Sequence, residues 1–363
     1  MKDKPIYVTK SFLPPLEEYE KYLSQIWEND QLTNNGPLHK QFERRVSEYL
    51  QIDLPFKFVT NGTLALQISL RALDITDGEI ITTPFSYVAT TSVILWERCT
   101  PVFVDIDENT LNINPKLIEA SITKKTKAIL AVHVFGNPCD VESIQEIADR
   151  HNLKVIYDAA HAFGVRYKGN SVLEYGDVSA LSFHATKLFH TIEGGGVITK
   201  NSKLAHKADL ISRFGHDGDD HIMIGINAKA SEFQAAMGLV NLRYIDGIID
   251  RRRIVTEQYS ARLGGAVKRP VIRDGTDYNF AYYPIILKDN NELQKVTKAL
   301  NDQNIFPRRY FYPSLNNLPY VKSGKVLVIS NNIASRILCL PFHDGMEVDA
   351  INKISDTILR CLS

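Results

Sequence analysis

No charge of one sign dominates this chain. Lys plus Arg and Asp plus Glu number 42 each among 363 residues, so no global field draws it to nucleic acid or to an acidic lipid surface. The one dense basic run, Arg251-Arg252-Arg253, falls in a helical pattern and reads as a solvated face. Four cysteines (Cys99, Cys139, Cys339, Cys361) are scattered with no C-x-x-C pair. That excludes a disulfide framework and a cysteine zinc site, and it fits buried thiols in a reducing compartment. No metal is expected. No apolar run approaches the length of a membrane span, and the first residues lack the apolar core of a signal peptide. The expectation is a cytoplasmic protein with no nucleic-acid or membrane partner. A G-x-x-x-x-G-K-[ST] loop and a G-x-G-x-x-G turn are both missing, so a nucleoside triphosphate and NAD have no support. There is no internal repeat and no low-complexity tract.

What is present is an alternation. Apolar runs at 56–60, 79–83, 101–105, 127–134, 154–157, 180–183 and 196–199 read as seven strands, with amphipathic helices between them. That order describes an α/β protein with a doubly wound, mostly parallel sheet. Two helices precede it. One carries Leu16, Tyr19, Leu23, Ile26 and Trp27 on a face; the other carries Leu38, Phe42, Val46 and Leu50 four apart. From Ser231 a long amphipathic pattern runs toward Leu263 and should lead into a smaller α+β unit. The expected division is a large domain over 1–240 and a small C-terminal domain over 241–363.

In open sheets of this kind, ligands bind beyond the carboxyl ends of the strands. Asn61-Gly62-Thr63 joins the first strand to an apolar helix, where free backbone N–H groups and the helix dipole favour an anion. Ser86-Tyr87, His133 and Asp158 fall at other strand ends. The stretch from Ser182 to Gly196 sets Lys187 between a strand end and a glycine run. A lysine there is either a solvated surface charge or a desolvated amine that forms a Schiff base with a carbonyl. Pyridoxal phosphate (PLP) needs an anion cradle, a stacking aromatic, a carboxylate for its ring nitrogen and an amine for its aldehyde. Gly62-Thr63, Tyr87, Asp158 and Lys187 supply them in order. The polar turn Leu32-Thr33-Asn34-Asn35-Gly36-Pro37 is either plain punctuation or a loop lining a pocket.

Five stretches carry a resemblance: Asn61 to Leu66, Pro84 to Thr90, Val132 to Gly136, Asp158 to Ala162, and Ser182 through Lys187 to Gly195. Through them the chain resembles, over nearly its whole length, the DegT/StrS nucleotide-sugar aminotransferases. These are PLP enzymes of fold type I, the aspartate aminotransferase fold. The resemblance implies phosphate contacts from Gly62, Thr63 and Ser182, a stacking Tyr87, a ring-nitrogen partner in Asp158 and a Schiff-base lysine in Lys187. His161 stands where many members have Gln, near the cofactor's phenolic oxygen. Asn227, in Gly225-Ile226-Asn227, would reach the phosphate of a neighbouring subunit, so a homodimer with shared sites is implied. Asn34, Gly36 and Tyr312 are the implied substrate-side residues.

The implied reaction moves the amino group of L-glutamate to a nucleotide-linked keto sugar. The Phe-His-Ala-Thr-Lys run leans toward dTDP-4-keto-6-deoxy-D-glucose as acceptor, giving dTDP-4-amino-4,6-dideoxy-D-glucose; a 3-keto isomer is the alternative. The product would enter a bacterial O-antigen, lipopolysaccharide or antibiotic pathway. Three rivals remain: a PLP-dependent sugar dehydratase, against which Lys187 argues; a non-catalytic PLP-fold protein; and a transaminase of a small metabolite, with Arg308 or Arg309 clamping a second carboxylate.

Overall fold

Short runs of branched and aromatic residues set the strands, and capped helices follow them. In this computed structural model residues 4–321 and 326–363 are described. In chain order the elements are β1 (Ile6–Tyr7), α1 (Leu16–Asn29), α2 (Pro37–Leu50), β2 (Phe56–Val59), α3 (Gly62–Ala72), β3 (Glu79–Thr82), α4 (Val88–Trp96), β4 (Thr100–Phe103) and β5 (Thr126–Val132). Next come α5 (Val141–His151), β6 (Lys154–Asp158), β7 (Arg166–Tyr167), β8 (Asn170–Ser171), β9 (Val178–Ser182), β10 (Gly195–Thr199), α6 (Ser202–Ser212), β11 (His216–Asp217), β12 (Asp220–His221) and α7 (Glu232–Asn241). The C-terminal third holds α8 (Ile245–Leu263), β13 (Thr276–Asp277), β14 (Pro284–Ile286), α9 (Asn290–Asn301), β15 (Ile305–Phe306), α10 (Val328–Arg336), β16 (Ile337–Cys339) and α11 (Val348–Leu362).

The main sheet has seven strands in the order β2-β10-β9-β6-β5-β3-β4. β10 runs antiparallel to both of its neighbours, and the other pairings are parallel. Side chains alternate across it. Ile80, Leu130, Ile156 and Ala180 face a core shared with Leu66 and Ile68 of α3. Ile81, Ile129, Val155 and Tyr157 face another, shared with Ile144 and Ile147 of α5. Both faces are therefore covered, as a mainly parallel sheet requires. A third core joins Phe42 and Val46 of α2 to Phe58, Phe163, Phe183 and Phe189.

Arg252, read with its neighbours as a solvated face, is instead buried, its Nη1 donating to the carbonyl of Ala281 at 3.0 Å, and two further features depart from the expected layout. The long helical pattern from Ser231 to Leu263 is two helices. α7 ends at Asn241, whose buried side chain donates to the carbonyl of His190 at 2.9 Å, and α8 starts afresh at Ile245. The cores also change hands inside α8 rather than at residue 241. Ile245 and Ile248 pack with Phe42 and Phe163, whereas Val255, Tyr259 and Leu263 pack with Tyr283, Leu293, Ile305 and Ile358. The N-terminal β1 joins the C-terminal third as well. It pairs in parallel with β15, and Val8 accepts the N–H of Phe342 at 3.0 Å.

Candidate active site

β9 ends at Ser182 and β10 begins at Gly195, and the connection between them carries Lys187. This connection is fixed. Phe183 donates its N–H to Gly194 at 2.8 Å and accepts that of Thr191 at 2.9 Å. The rings of Phe183, Phe189 and Phe163 pack beneath it, with centroids 4.3–6.0 Å apart. Lys187 thereby projects into a cavity of about 320 Å³ whose walls include Asn61, Gly62, Thr63, Tyr87, Asp158, His161 and Ser182. Lys187 is half-buried. Burial pushes its amine down to about 8, opposed by the charges of Asp158 and Tyr87.

Asp158 closes β6 and is buried. Its Oδ2 accepts from Thr90 Oγ1 at 2.8 Å and its Oδ1 from the N–H of Ala160 at 3.1 Å. Ser86 Oγ in turn contacts Thr90 Oγ1 at 2.8 Å. Burial raises the Asp158 carboxyl above its usual range despite these donors and the nearby Lys187. A buried carboxylate in that condition favours a cation beside it.

The rings of His161, Phe135 and Phe311 lie nearly parallel in a cluster, with centroids 5.7–6.2 Å apart. Its Nδ1 accepts the N–H of Phe135 at 3.2 Å, so the neutral ring carries its proton on Nε2. Burial first, then Lys187, pushes its pKa well below the ordinary value. At pH 7 His161 is a neutral donor.

The anion cradle is built at the start of α3. Asn61 caps it, its Oδ1 accepting from Leu64 N–H at 2.9 Å. Helix geometry leaves the N–H groups of Gly62 and Thr63 without an intrahelical partner. Ser182 lies against them: a Cβ at Gly62 would stand 2.7 Å from Ser182 Cβ and 3.1 Å from its hydroxyl. Only glycine lets the two approach so closely. Backbone donors, two hydroxyls, a cation-seeking carboxylate, a neutral donor and a low-pKa amine are the donor set that PLP requires. The residues fit that cofactor.

Four expected residues are not among those lining this cavity. Asn227 bridges Arg213 through its backbone, and its Oδ1 accepts from Lys229 Nζ at 2.7 Å. Asn34 and Asn35 both have left-handed φ, 63° and 56°, so they form a tight turn. Gly36 caps α2, and a Cβ there would stand 2.6 Å from the Glu232 carboxyl carbon. That carboxylate accepts the N–H groups of Leu38 and His39 at 2.8 and 2.9 Å, so packing alone explains the glycine. Tyr312 is exposed, with the Arg309 guanidinium 3.4 Å over its ring.

The cavity also recruits residues that the sequence reading left without a role: Thr90, Tyr282, Tyr310, Phe311 and Glu193. Thr90 lay within a quoted motif, one turn after Tyr87. Nothing local marks Tyr282, which arrives from the C-terminal third. His133 and His190 take structural posts. His133 Nδ1 accepts the N–H of Cys139 at 3.0 Å, its ring stacks on Tyr157, and burial holds its pKa down to about 3. His190 Nε2 donates to the carbonyl of Phe12 at 2.7 Å.

The model of the DegT/DnrJ/EryC1/StrS aminotransferase family matches residues 16–359. The chain belongs to that family. It is therefore an aminotransferase of fold type I, and its cofactor is pyridoxal phosphate. Among DegT/DnrJ/EryC1/StrS relatives, a dTDP-4-amino-4,6-dideoxy-D-glucose transaminase of Shigella dysenteriae is 44% identical, covering 98% of this chain and 99% of its own length. A transaminase of the same name from Escherichia coli is 41% identical, with 99% of each chain covered. The crystal structure of DesI with its TDP-sugar product superposes with a TM-score of 0.93 at 30% identity, over 99% of this chain and 93% of that one. Helicobacter pylori PseC, an aminotransferase involved in pseudoaminic acid biosynthesis, gives 0.90 at 26% identity, over 99% of both.

Proposed function

We propose that this family member transfers the amino group of L-glutamate to dTDP-4-keto-6-deoxy-D-glucose, giving dTDP-4-amino-4,6-dideoxy-D-glucose. The observation that carries the reading is the 44% identity, over 98% of this chain, to a transaminase named for that product. The cofactor, when bound, supplies an aldehyde to carry the amino group and a ring that draws electrons from the reacting carbon.

The chain's own residues take the remaining roles. Lys187 Nζ would be the amine that holds the cofactor's aldehyde, and as a free amine it would take the proton from the α-carbon of glutamate and deliver one to C4 of the sugar. A pKa near 8 suits a group that must take and give a proton close to neutrality. Asp158 would keep the ring nitrogen protonated, Gly62, Thr63 and Ser182 would hold the phosphate, Tyr87 would pack on the ring, and Nε2–H of His161 would be a donor to the ring oxygen.

Asn227, Asn34, Gly36 and Tyr312 lie outside this chain's own cavity. We assign Asn227 and the 34–36 turn to the site of a second copy, in a homodimer with shared sites in the cytoplasm, and Tyr312 to the substrate entrance. The product's place in an O-antigen or lipopolysaccharide route belongs to the same reading.

The test incubates the purified holoenzyme with L-glutamate and the 4-keto sugar. Stoichiometric 2-oxoglutarate and an amine at C4 by NMR support the reading. The 3-keto isomer is the second acceptor to assay, because a 32% identical relative from Pseudomonas aeruginosa is named for a 3-oxo sugar. Turnover with that isomer alone would replace the proposal.

A further inference from the structure

One short segment of the C-terminal third reaches the turn that carries His161. It runs from Tyr278 to Tyr282, just before β14. Asn279 is buried, and its Nδ2 donates to the carbonyls of His161 and Phe163, both at 2.9 Å. A carbonyl accepts and cannot donate, so the amide presents its NH2 group to this pair and uses both N–H bonds there. Tyr278 donates its hydroxyl to the carbonyl of Phe135 at 2.8 Å. The N–H of that same Phe135 is the one that His161 Nδ1 accepts. The Tyr282 ring lies 4.8 Å from the His161 ring, centroid to centroid.

An extended chain turns successive side chains to opposite faces, so it would not bring Tyr278, Asn279 and Tyr282 to one target. Phe280 takes a left-handed φ of 51°, which breaks that alternation. The segment is also anchored from behind. Arg252 of α8 donates Nη1 to the carbonyl of Ala281 at 3.0 Å, in the helix where the cores change hands. Gly136 packs against the amide: a Cβ there would stand 2.7 Å from Asn279 Oδ1 and 2.8 Å from the His161 carbonyl. His161 is thus held at its backbone by Asn279, through its hydrogen-bond partner by Tyr278, and at its ring by Tyr282.

We propose that Tyr278 and Asn279 are positioning residues for His161: they fix the backbone at both ends of the Phe135–His161 hydrogen bond and so set where Nε2–H points in the cavity. This rests on the reading of His161 as a donor to the cofactor's ring oxygen. Neither Tyr278 nor Asn279 is among the residues lining the cavity, so both act through His161. Its other ring nitrogen is held by the Phe135 N–H, and the aim of the ring follows the placement of that N–H and of the His161 backbone. A hydrogen bond weakens steeply as its angle closes, and a working donor has to be held within about 0.5 Å and 10–20° of its geometry. A well-aimed donor favours the charged form of the oxygen it meets. It therefore lowers the pH at which the lysine-held cofactor titrates, and a badly aimed one does not.

The experiment follows the visible band of the lysine-held cofactor in holoenzyme as a function of pH. Wild type, His161→Ala, Asn279→Ala, Tyr278→Phe and the double variant Asn279→Ala/His161→Ala are compared, with circular dichroism and cofactor content checking that each is folded and loaded. Losing a donor to a charged oxygen should raise the midpoint by about one pH unit in His161→Ala. Asn279→Ala and Tyr278→Phe should raise it too, by less. The double variant should match His161→Ala, because residues that act through one another do not add. A midpoint unchanged in Asn279→Ala, with or without a fall in Tm, overturns the proposal, as does a double variant whose shift is the sum of the single ones. If Asn279→Ala does not fold, Tyr278→Phe, which removes one hydroxyl and keeps the ring, decides alone, and a wild-type midpoint in it overturns the proposal. His161→Ala separates this inference from the reading beneath it. A shift there with none in the other two variants sinks this inference alone, and no shift there sinks both.

Discussion

Lys187 and Asp158 set each other's protonation, and that coupling is measurable. Burial lowers the Lys187 amine to about 8, while the Asp158 charge works in the opposite direction. Only the neutral amine attacks an aldehyde. Cofactor uptake by apoenzyme should therefore accelerate as pH rises through about 8. In Asp158→Asn the opposing charge is gone, so the midpoint should move to lower pH; a shift upward, measured by stopped-flow absorbance, contradicts the coupling. The same variant should still bind cofactor but turn over about 100-fold more slowly or worse, in the range seen when a single preorganised electrostatic group is removed.

The cradle makes a second prediction at this scale. Ser182→Ala removes one hydroxyl donor to a charged phosphate and should weaken cofactor affinity about 10-fold or more, measured by fluorescence titration of apoenzyme. Gly62→Ala should be worse than Ser182→Ala, since its methyl would meet Ser182 Cβ at 2.7 Å.

Among the elements, α2 is held at its start by a residue far away in sequence. Both oxygens of the buried Glu232 accept backbone N–H groups of that helix. Glu232→Ala leaves those donors buried and unpaired, so a loss of about 2–3 kcal/mol is expected in denaturant unfolding. The buried end of β5 contributes a pH dependence. His133 titrates near 3 in the folded chain and at 6.5 as a free side chain. Between those values the unfolded chain binds the extra proton, so this stability is full above about 6.5 and is lost as pH falls toward 3. His133→Asn should flatten the decline of Tm between pH 7 and 5; an unchanged slope removes His133 from the account.

The elements also show what sequence reveals and what it conceals. Strand periodicity and the Asn61-Gly62-Thr63 turn announced β2 and α3, and the amphipathic pattern announced a helix starting near Ser231, because those signals are local. The break between α7 and α8 was illegible: no Pro or Gly stands between Asn241 and Ile245, and the Asn241 side chain at the break is bonded to the carbonyl of His190, far away in sequence. That Gly62, Thr63, Asp158 and Lys187 share one cavity was legible because each falls at a strand end or in the connection that follows one. Tyr282, Arg308 and Phe311 were not, or not uniquely, since tertiary packing alone brings them to that cavity.

For the whole molecule, the proposed homodimer would account for the expected site residues that this chain's own cavity does not use. Beside Asn227 the chain exposes Phe214, Ile222 and Ile224, an apolar patch of the kind that marks an interface. Light scattering should give twice the 41.0 kDa chain mass. Asn227→Ala should lower cofactor affinity without changing that mass.

The central claim is that Lys187 carries a cofactor able to accept and donate an amino group. The most direct measurement is the visible absorption spectrum of holoenzyme, first alone, then with L-glutamate, then with dTDP-4-keto-6-deoxy-D-glucose after glutamate is removed. The account predicts a band from the lysine-held cofactor, its loss on adding glutamate, and its return with the sugar. A holoenzyme without such a band, or one whose band is identical in Lys187→Ala, would contradict the account.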